Sequence, residues 1–292
     1  NVATFDRFKD IFTLFEKTYN LKIDKVIADL HPNFLNTKWA KDQGFELIHL
    51  QHHYAHLLSV IFENDLADKK YLGFCFDGTG YGEGGKIWGG EVFRLDKKSY
   101  ERVYHFDEFS LFGGENSIKN IYLIAYSIIL KYSLEDEASK FLVNFDEKML
   151  ANFKKMEQKG LNLVKTSSVG RIFDAFGAII CGLFHSSFEG ESGMMLEALY
   201  DKNLDACYKF SLDDGVIGFK EAFKSALKDE PRVAATAFIN GLADIIFEIS
   251  KKEKMEILLS GGVFQNKTLL ELIYKKFTKV DLKFYINKKF CS

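Results

Sequence analysis

The sequence predicts an α/β fold, because short apolar runs typical of buried strands alternate with longer amphipathic stretches typical of helices. Two of the apolar runs, Tyr71–Phe76 and residues 255–259, end directly in glycine-rich turns, and the second turn leads into a helix. Hydrophobic residues make up 47% of the 292-residue chain and charged residues 27%, which is the composition of an ordinary globular protein. A chain of this length can bury a sizeable core as one large domain or as two lobes.

Periodicity and turn residues place the individual elements along the chain. Apolar residues at helical spacing from Phe5 to Phe15 predict the first helix, and Pro231 suits the first turn of a long later one. The predicted helices are Val2–Tyr19, 34–42, 51–64, 117–130, 133–157, 167–176, 194–200, 233–250 and 267–276. The predicted strands are residues 25–28, 45–48, 71–76, 86–93, 102–106, 255–259 and 280–286.

The glycine-rich stretch after Tyr71–Phe76 is the first candidate site. Glycines at this density indicate positive φ angles or close approach of another group to the backbone. Asp77 ends the strand and can hold a divalent cation, while the amides of Gly78 and Gly80 and the hydroxyl of Thr79 suit phosphate oxygens. Residues 80–85 match GxGxxG, but a strand follows instead of a helix, so the stretch closes a hairpin and is neither a Rossmann turn nor a Walker A loop. The alternative is a flexible hairpin tip.

Three histidines open the helix at residues 51–64. His52 and His56 are four residues apart, so their side chains project from the same side of a helix and can bind one metal ion. His53 points elsewhere and is a candidate to orient a ligand or contact a substrate. The alternative is a cluster of partly buried histidines whose nitrogens are satisfied by other protein groups.

The starts of two further helices are typical of nucleotide sites. Gly170 would let a ligand reach the first turn of a helix, and Asp174, one turn later, could accept hydrogen bonds from ribose hydroxyls. Gly261 and Gly262 precede Asn266 and a second helix, so a base or sugar could lie against backbone without side chains. The alternative for Asp174 is a solvated charge on a helix surface.

Composition excludes several classes of function. The net charge of −2 and the lack of a basic run argue against a nucleic-acid partner, and no apolar stretch approaches the roughly 20 residues of a membrane span. The four cysteines, at positions 75, 181, 207 and 291, have no CxxC spacing, which argues against a zinc knuckle or a disulfide framework. This cysteine usage is typical of the reducing cytoplasm.

Taken together, these motifs resemble the actin-like ATPase superfamily, and within it the Kae-like domain of the carbamoyltransferase HypF family. The motifs that carry the resemblance are DLHPNF (29–34), QHHYAHL (51–57), FDGTGYG (76–82), WGGE (88–91), SVGRIFD (168–174) and LSGGVFQN (259–266). FDGTGYG and WGGE distinguish the chain from the sister tRNA threonylcarbamoyl-transferase family, which would have a Ser-Gly-Gly turn at Asp77. The resemblance implies a two-lobed actin-like ATPase fold, incomplete at both ends, with residues 1–66 as the remainder of lobe I and residues 67–292 as lobe II.

The resemblance also implies a reaction. HypF proteins make carbamoyl-adenylate from carbamoyl phosphate and ATP, and pass the carbamoyl group to a C-terminal cysteine of HypE during maturation of nickel–iron hydrogenases. It implies that His52, His56 and Asp77 bind a divalent metal ion (Fe, Zn or Mg), and that Gly170, Asp174, Gly190, Gly261, Gly262 and Asn266 hold the adenosine part of the nucleotide. With the contacts argued above from the residues themselves, His53 and Asp77 are the catalytic candidates, and Gly78, Thr79 and Gly80 are the candidates for binding the phosphates.

Departures from the family pattern leave other functions open. The acylphosphatase, zinc-finger and YrdC-like domains are absent, as is an Asn-Asp-Gly-Gly motif whose aspartate would complete the metal site. We therefore expect no carbamoyl transfer from carbamoyl phosphate and ATP by this chain alone. The alternatives are a nucleotide- and metal-binding lobe without activity of its own, a tRNA threonylcarbamoyl-transferase-like relative, and an actin-like kinase or metallohydrolase that uses Asp77.

Overall fold

The computed structural model describes residues 2–288 and confirms the predicted α/β fold. Its helices are α1 (Val2–Tyr19), α2 (Leu35–Asp42), α3 (His52–Glu63), α4 (Glu115–Lys119), α5 (Ile121–Tyr132), α6 (Ser139–Leu142), α7 (Glu147–Lys159), α8 (Val169–Cys181), α9 (Glu191–Leu199), α10 (Lys220–Ala226), α11 (Pro231–Glu253) and α12 (Lys267–Thr278). Its strands are β1 (Lys25–Asp29), β2 (Glu46–Leu50), β3 (Tyr71–Phe76), β4 (Gly90–Leu95), β5 (Tyr100–Phe106), β6 (Phe109–Phe112), β7 (Leu163–Thr166), β8 (Ser211–Asp213), β9 (Val216–Gly218), β10 (Ile257–Ser260) and β11 (Phe284–Ile286).

A seven-stranded sheet in the order β11-β10-β3-β4-β5-β9-β8 forms the centre of the molecule. Every residue of β3 is buried, and successive side chains point to opposite faces of the sheet. On one face, Phe74 and Phe76 pack with α5, α8 and α11 in the main core. On the other face, Tyr71 and Cys75 pack with Leu57 and its neighbours on α3. Burial on both faces explains why β3 reads as an unbroken apolar run.

The pairing of β3 with β10 positions the site. The two strands are parallel, and Cys75 lies opposite Ser260. The residues that follow each strand, Asp77 and Gly261, therefore leave the sheet at the same edge. In parallel sheets ligands bind beyond the carboxyl ends of the strands. This edge is therefore where the structure brings the predicted turns together.

Beside this edge, strands β1 and β2 form a separate two-stranded sheet. Strands β1 and β2 are parallel, with Asp29 opposite Leu50, and α2 contacts both strands. Helix α1 packs against α2 through an aromatic cluster of Phe12, Trp39 and Phe45. Helix α3 starts directly after β2, because the Gln51 side chain accepts a hydrogen bond from the Tyr54 amide at 2.8 Å. Asp29 and the first turn of α3 thus meet at one end of the small sheet.

The predicted element boundaries are wrong in several places. The region predicted as one helix over 133–157 is broken, because Ser133 adopts a left-handed conformation and Leu134, Ala138 and Phe141 turn into the core. Strand β4 begins at Gly90, whereas Ile87 forms only isolated bridges. The short strands β6 to β9 were not predicted. The β8–β9 hairpin could have been predicted from its Asp-Gly pair, which is typical of a two-residue hairpin turn. In the structure Asp214 and Gly215 both have positive φ, as such a turn requires.

Helix α11 has the length and composition of a membrane-spanning segment, but 72% of its most apolar 18-residue window is buried inside the protein. It packs against α8, α9 and α12 in the main core. No apolar stretch of membrane-spanning length was predicted here, because Asn240, Asp244 and Glu248 interrupt the apolar residues. We interpret α11 as the central core helix of this fold.

Candidate functional site

The structure brings His52, His56 and Asp77 together. The His52 Nε2 and His56 Nε2 atoms face each other at 3.2 Å, and Asp77 Oδ2 lies 3.6 Å from the first and 3.3 Å from the second. All three ligand atoms lie within 4.8 Å of one another. The four-residue spacing on α3 places the two histidines side by side. The carboxylate comes from the end of β3, 21 residues after His56 in the chain.

Asp29 orients this cluster from behind. Its Oδ2 lies 3.0 Å from His52 Nδ1, which donates to it, so that the lone pair on Nε2 faces His56 and Asp77. The Asp77 carboxylate raises the pKa of His52 against the effect of burial, and Asp29 adds to this. Burial alone would raise the pKa of Asp77, but His52, His56 and the Gly78 amide lower it well below its usual value. A carboxylate behind a ligating histidine is the usual second contact of a metal site.

His53 lies outside this cluster and is fully buried. Its Nδ1 accepts a hydrogen bond from Gln51 Nε2 at 3.0 Å, and its Nε2 has no hydrogen-bond partner within residues 2–288. Burial lowers the pKa of His53 to about 4, so the ring is neutral at pH 7. The structure places His53 behind the hairpin, near Trp88, and not on the cavity described below. The catalytic role of His53 remains a prediction.

Gly80 packs against the histidines. A Cβ on this residue would lie 2.2 Å from His53 Cε1 and 2.9 Å from His52 Cδ2. Gly80 and Thr79 do not line the cavity in which the other predicted nucleotide contacts lie. The structural reason for the glycine is therefore close approach of the hairpin to two imidazole rings, and its predicted phosphate contact remains untested.

We expect Gly80→Ala to weaken metal binding while the protein stays folded. The new methyl group would push the His52 ring out of line with His56 and Asp77, and displacing the support of a ligand typically costs about 10- to 100-fold in metal affinity. Equilibrium dialysis with Zn²⁺ measures the effect, and Glu83→Ala, an exposed change in the same loop, serves as the control. Equal Zn²⁺ affinity in Gly80→Ala and the parent would contradict this account of the glycine.

A cavity of about 560 Å³ extends from Asp77 between the first turns of α8, α9 and α12. It is lined by six of the residues predicted to hold a nucleotide: Gly78, Gly170, Asp174, Gly190, Gly262 and Asn266. Gly261 lies just behind its wall, where its φ of 99° and the approach of the Phe76 carbonyl exclude a side chain. The structure thus brings most of the predicted nucleotide contacts to one place, next to the proposed metal ligands.

Backbone contacts join the walls of this cavity. The Gly170 amide donates to the Asp77 carbonyl at 3.0 Å, and a Cβ on Gly170 would lie 2.7 Å from Gly78 Cα. The Ser168 hydroxyl caps α8 and also contacts the Asp77 carbonyl at 2.6 Å. Asn266 caps α12, accepting from the Leu269 amide at 2.8 Å. The glycine at position 170 therefore allows the end of β3 to pack on α8.

A buried carboxylate supports the same junction. Glu91, the last residue of the WGGE motif, is fully buried and accepts hydrogen bonds from the Gly89 amide at 3.2 Å and the Gly90 amide at 3.1 Å. It also accepts from the Arg102 guanidinium and the Ser167 hydroxyl. Burial by itself would raise the pKa of Glu91, but Arg102 lowers it, so the group is ionised. Glu91 thereby ties β4 and β5 to the start of α8.

Sequence reasoning missed several residues of the site. Arg171, Glu189 and Glu197 line the cavity, and Asp29 contacts His52, but none of the four was predicted to have a role in the site. The role of Arg171 could have been predicted from the sequence. An arginine three residues before an aspartate on an otherwise apolar helix indicates a buried ion pair, because charged side chains are rarely buried unless they are paired. Met194, on the same helix as Glu197, is 63% exposed and also lines the cavity. Short sequence windows do not reveal which side of a short helix faces a cavity.

Comparisons with known proteins agree with this geometry. Residues 1–63 match the family model described as the HypF Kae1-like domain, and residues 73–292 match the carbamoyltransferase Kae1-like domain, second subdomain. The carbamoyltransferase HypF of Synechocystis is 29% identical over 92% of this chain and 38% of its own length. The probable carbamoyltransferase HypF of Methanocaldococcus jannaschii is 30% identical over 98% of this chain and 40% of its own.

Solved structures show the same relationship. A full-length HypF crystal structure in a phosphate- and nucleotide-bound form superposes with a TM-score of 0.91 at 30% identity, covering 98% of this chain and 47% of that one. The HypF of T. kodakarensis superposes with a TM-score of 0.82 at 27% identity, covering 98% of this chain and 40% of that one. The chain thus spans less than half the length of these relatives. It belongs to the carbamoyltransferase HypF family and corresponds to its Kae1-like domain.

Proposed function

We propose that this chain transfers a carbamoyl group from carbamoyl-adenylate to the C-terminal cysteine thiol of HypE, a step in making the cyanide ligand of nickel–iron hydrogenases. The observation that carries the proposal is the position of the His52–His56–Asp77 cluster at one end of the cavity that collects the nucleotide-type turns. A donor bound by its adenosine part in this cavity would have its activated end next to the cluster. Carbamoyl phosphate and ATP are then the substrates of the longer protein.

The cluster fits a divalent metal ion. Two imidazole nitrogens 3.2 Å apart direct lone pairs at each other and at a carboxylate oxygen, and a cation among them would satisfy all three. Two nitrogens and one oxygen suit iron, zinc or magnesium to different degrees. A bound ion would neutralise phosphate charge and polarise the carbamoyl group. Asp29 would hold the His52 ring in the orientation that binding requires.

The residues around the cavity would position the donor and exclude water. The first turns of α8 and α12 would hold the adenosine part, with Asp174 at the ribose hydroxyls. Within residues 2–288 no cysteine lines the cavity: Cys75 is buried, and neither Cys181 nor Cys207 contacts it. An acceptor thiol brought by a partner protein agrees with this arrangement. We place the reaction in the cytoplasm, with no nucleic-acid or membrane partner.

The test is incubation of the chain with HypE and preformed carbamoyl-adenylate, followed by mass spectrometry of the HypE C-terminal peptide. We expect a carbamoyl adduct on the terminal cysteine that is lost in the Asp77→Asn variant, since that change removes the only carboxylate of the described cluster. HypE with its terminal cysteine changed to serine is the control. From carbamoyl phosphate and ATP, without other proteins, we expect no adduct.

Absence of the adduct with preformed carbamoyl-adenylate would contradict the proposal, provided that the full-length protein forms it under the same conditions. That result would favour a binding lobe without activity of its own. Transfer of the group to water instead of HypE would favour a metallohydrolase.

A further inference from the structure

Three polar side chains that line the cavity have buried atoms without a hydrogen-bond partner: Arg171 and Asp174, which are buried, and Asn266, which is partly buried. Arg171 is 4% exposed and Asp174 is 5% exposed. Within residues 2–288, the Nε and Nη1 atoms of Arg171, Oδ2 of Asp174 and Nδ2 of Asn266 have no hydrogen-bond partner. Buried polar groups in folded proteins are almost always hydrogen-bonded, so a set of unsatisfied ones around one cavity indicates a polar ligand.

Arg171 lies between the two ends of this cavity. Its Nη1 is 3.0 Å from Asp174 Oδ2, an ion pair whose angle is poor for a hydrogen bond. Its Nη2 is 3.2 Å from the position that a Cβ on Gly78 would occupy. Gly78 adjoins the metal ligand Asp77, and Asp174 is the predicted ribose contact. The guanidinium therefore occupies the stretch between the ribose and the metal, where the first phosphate of a nucleotide would lie.

Charge singles out the same residue. The carboxylates of Asp77, Asp174, Glu189 and Glu197 line the cavity, and Arg171 is the one cationic side chain among the described residues that line it. A phosphate group in this cavity would be repelled by the carboxylates. Among the side chains of the described residues that line the cavity, Arg171 is the one whose positive charge can offset that of a phosphate, and a guanidinium suits phosphate because it presents several donors in a fixed plane.

We propose that Arg171 is a catalytic residue that binds the α-phosphate of the adenylate and stabilises it as the leaving group. This deepens the proposed function and rests on it. When a thiolate attacks the carbamoyl carbon, the C–S bond forms and the bond from carbon to the phosphate oxygen breaks. The electron pair of that bond leaves with the phosphate, so AMP departs with one more negative charge. Arg171 offsets this charge without a proton transfer, while Asp174 holds the ribose.

The test compares two ligands that differ only in the phosphate, adenosine and AMP. Isothermal titration calorimetry in the same Mg²⁺ buffer gives both affinities for the parent chain, Arg171→Gln and Arg171→Lys. We expect Arg171→Gln to weaken AMP binding by about 10- to 100-fold, the effect of losing hydrogen bonds to a charged group, and to leave adenosine binding within about 3-fold. Arg171→Lys keeps the charge and should lose less. Asp174→Asn is the comparison variant and should weaken both ligands by similar factors.

Equal weakening of AMP and adenosine in Arg171→Gln would overturn the proposal, because it would mean that Arg171 acts only by holding Asp174. Unchanged binding of both ligands would overturn it as well. If Arg171→Gln fails to fold, Arg171→Lys decides: AMP binding weakened more than adenosine binding supports the contact, and equal factors overturn it. These titrations need no HypE. The two proposals can therefore fail separately. If the parent chain transfers no carbamoyl group, but Arg171→Gln weakens AMP binding more than adenosine binding, the proposed function is rejected and the phosphate contact is supported.

Discussion

Replacing His52 or His56 by alanine is expected to lower the affinity for a divalent metal by more than about 100-fold, since loss of even an outer contact costs about 10- to 100-fold. Each change removes one of three ligand atoms that lie within 4.8 Å of one another. Both side chains are partly exposed at the edge of the protein core, so the fold should survive. Metal content after dialysis against Zn²⁺ or Fe²⁺, measured by mass spectrometry, gives the result.

His185→Ala is the matched control for the histidine variants. His185 is a solvent-accessible histidine that contacts Asn120 and takes no part in the cluster. Its loss should leave the metal content unchanged. Unchanged metal content in both His52→Ala and His56→Ala, with normal circular dichroism, would mean that the cluster is only a set of hydrogen-bonded side chains.

The second large effect is expected for Glu91→Ala, which should lower the free energy of unfolding by about 3–5 kcal/mol. The change leaves the Arg102 guanidinium, the Ser167 hydroxyl and two backbone amides without the acceptor they share in the protein interior. Because Glu91 joins the hairpin to the start of α8, which contacts the Asp77 carbonyl, metal affinity should fall as well. Urea unfolding measures the first effect and Zn²⁺ dialysis the second.

Glu253→Ala provides the comparison. Glu253 also pairs with an arginine, Arg94, through two hydrogen bonds of 2.8 and 2.9 Å, and accepts from the Tyr104 hydroxyl. Arg94 is 41% exposed, so water can replace its partner and the loss should be near 1 kcal/mol. In the double variant Glu91→Ala/Arg102→Ala the losses should be less than additive. Strict additivity would show that the Glu91–Arg102 pair contributes nothing as a pair.

Local patterns in the sequence were sufficient where one element contains the whole feature. The four-residue spacing of His52 and His56 determines their common direction as soon as α3 forms, because a helix turns once every 3.6 residues. The apolar run of β3 predicts a strand buried on both faces, and the diglycine turn after β10 predicts a strand-to-helix junction. These inferences depend on backbone periodicity and on the conformational freedom of glycine, both of which are properties of short segments.

The tertiary structure decided which distant residues meet. Asp29 contacts His52 because parallel pairing of β1 and β2 ends both strands beside α3, and Glu91 contacts Ser167, which lies 76 positions further along the chain. Gly80 packs against two imidazole rings and Met194 lines the cavity, and neither contact can be read from the sequence around these residues. The unsatisfied donors of Arg171 are visible only once burial is known. A sequence shows which groups can ionise or bond, but their burial and partners depend on contacts between segments far apart in the chain, and those two quantities determine the chemistry of the site.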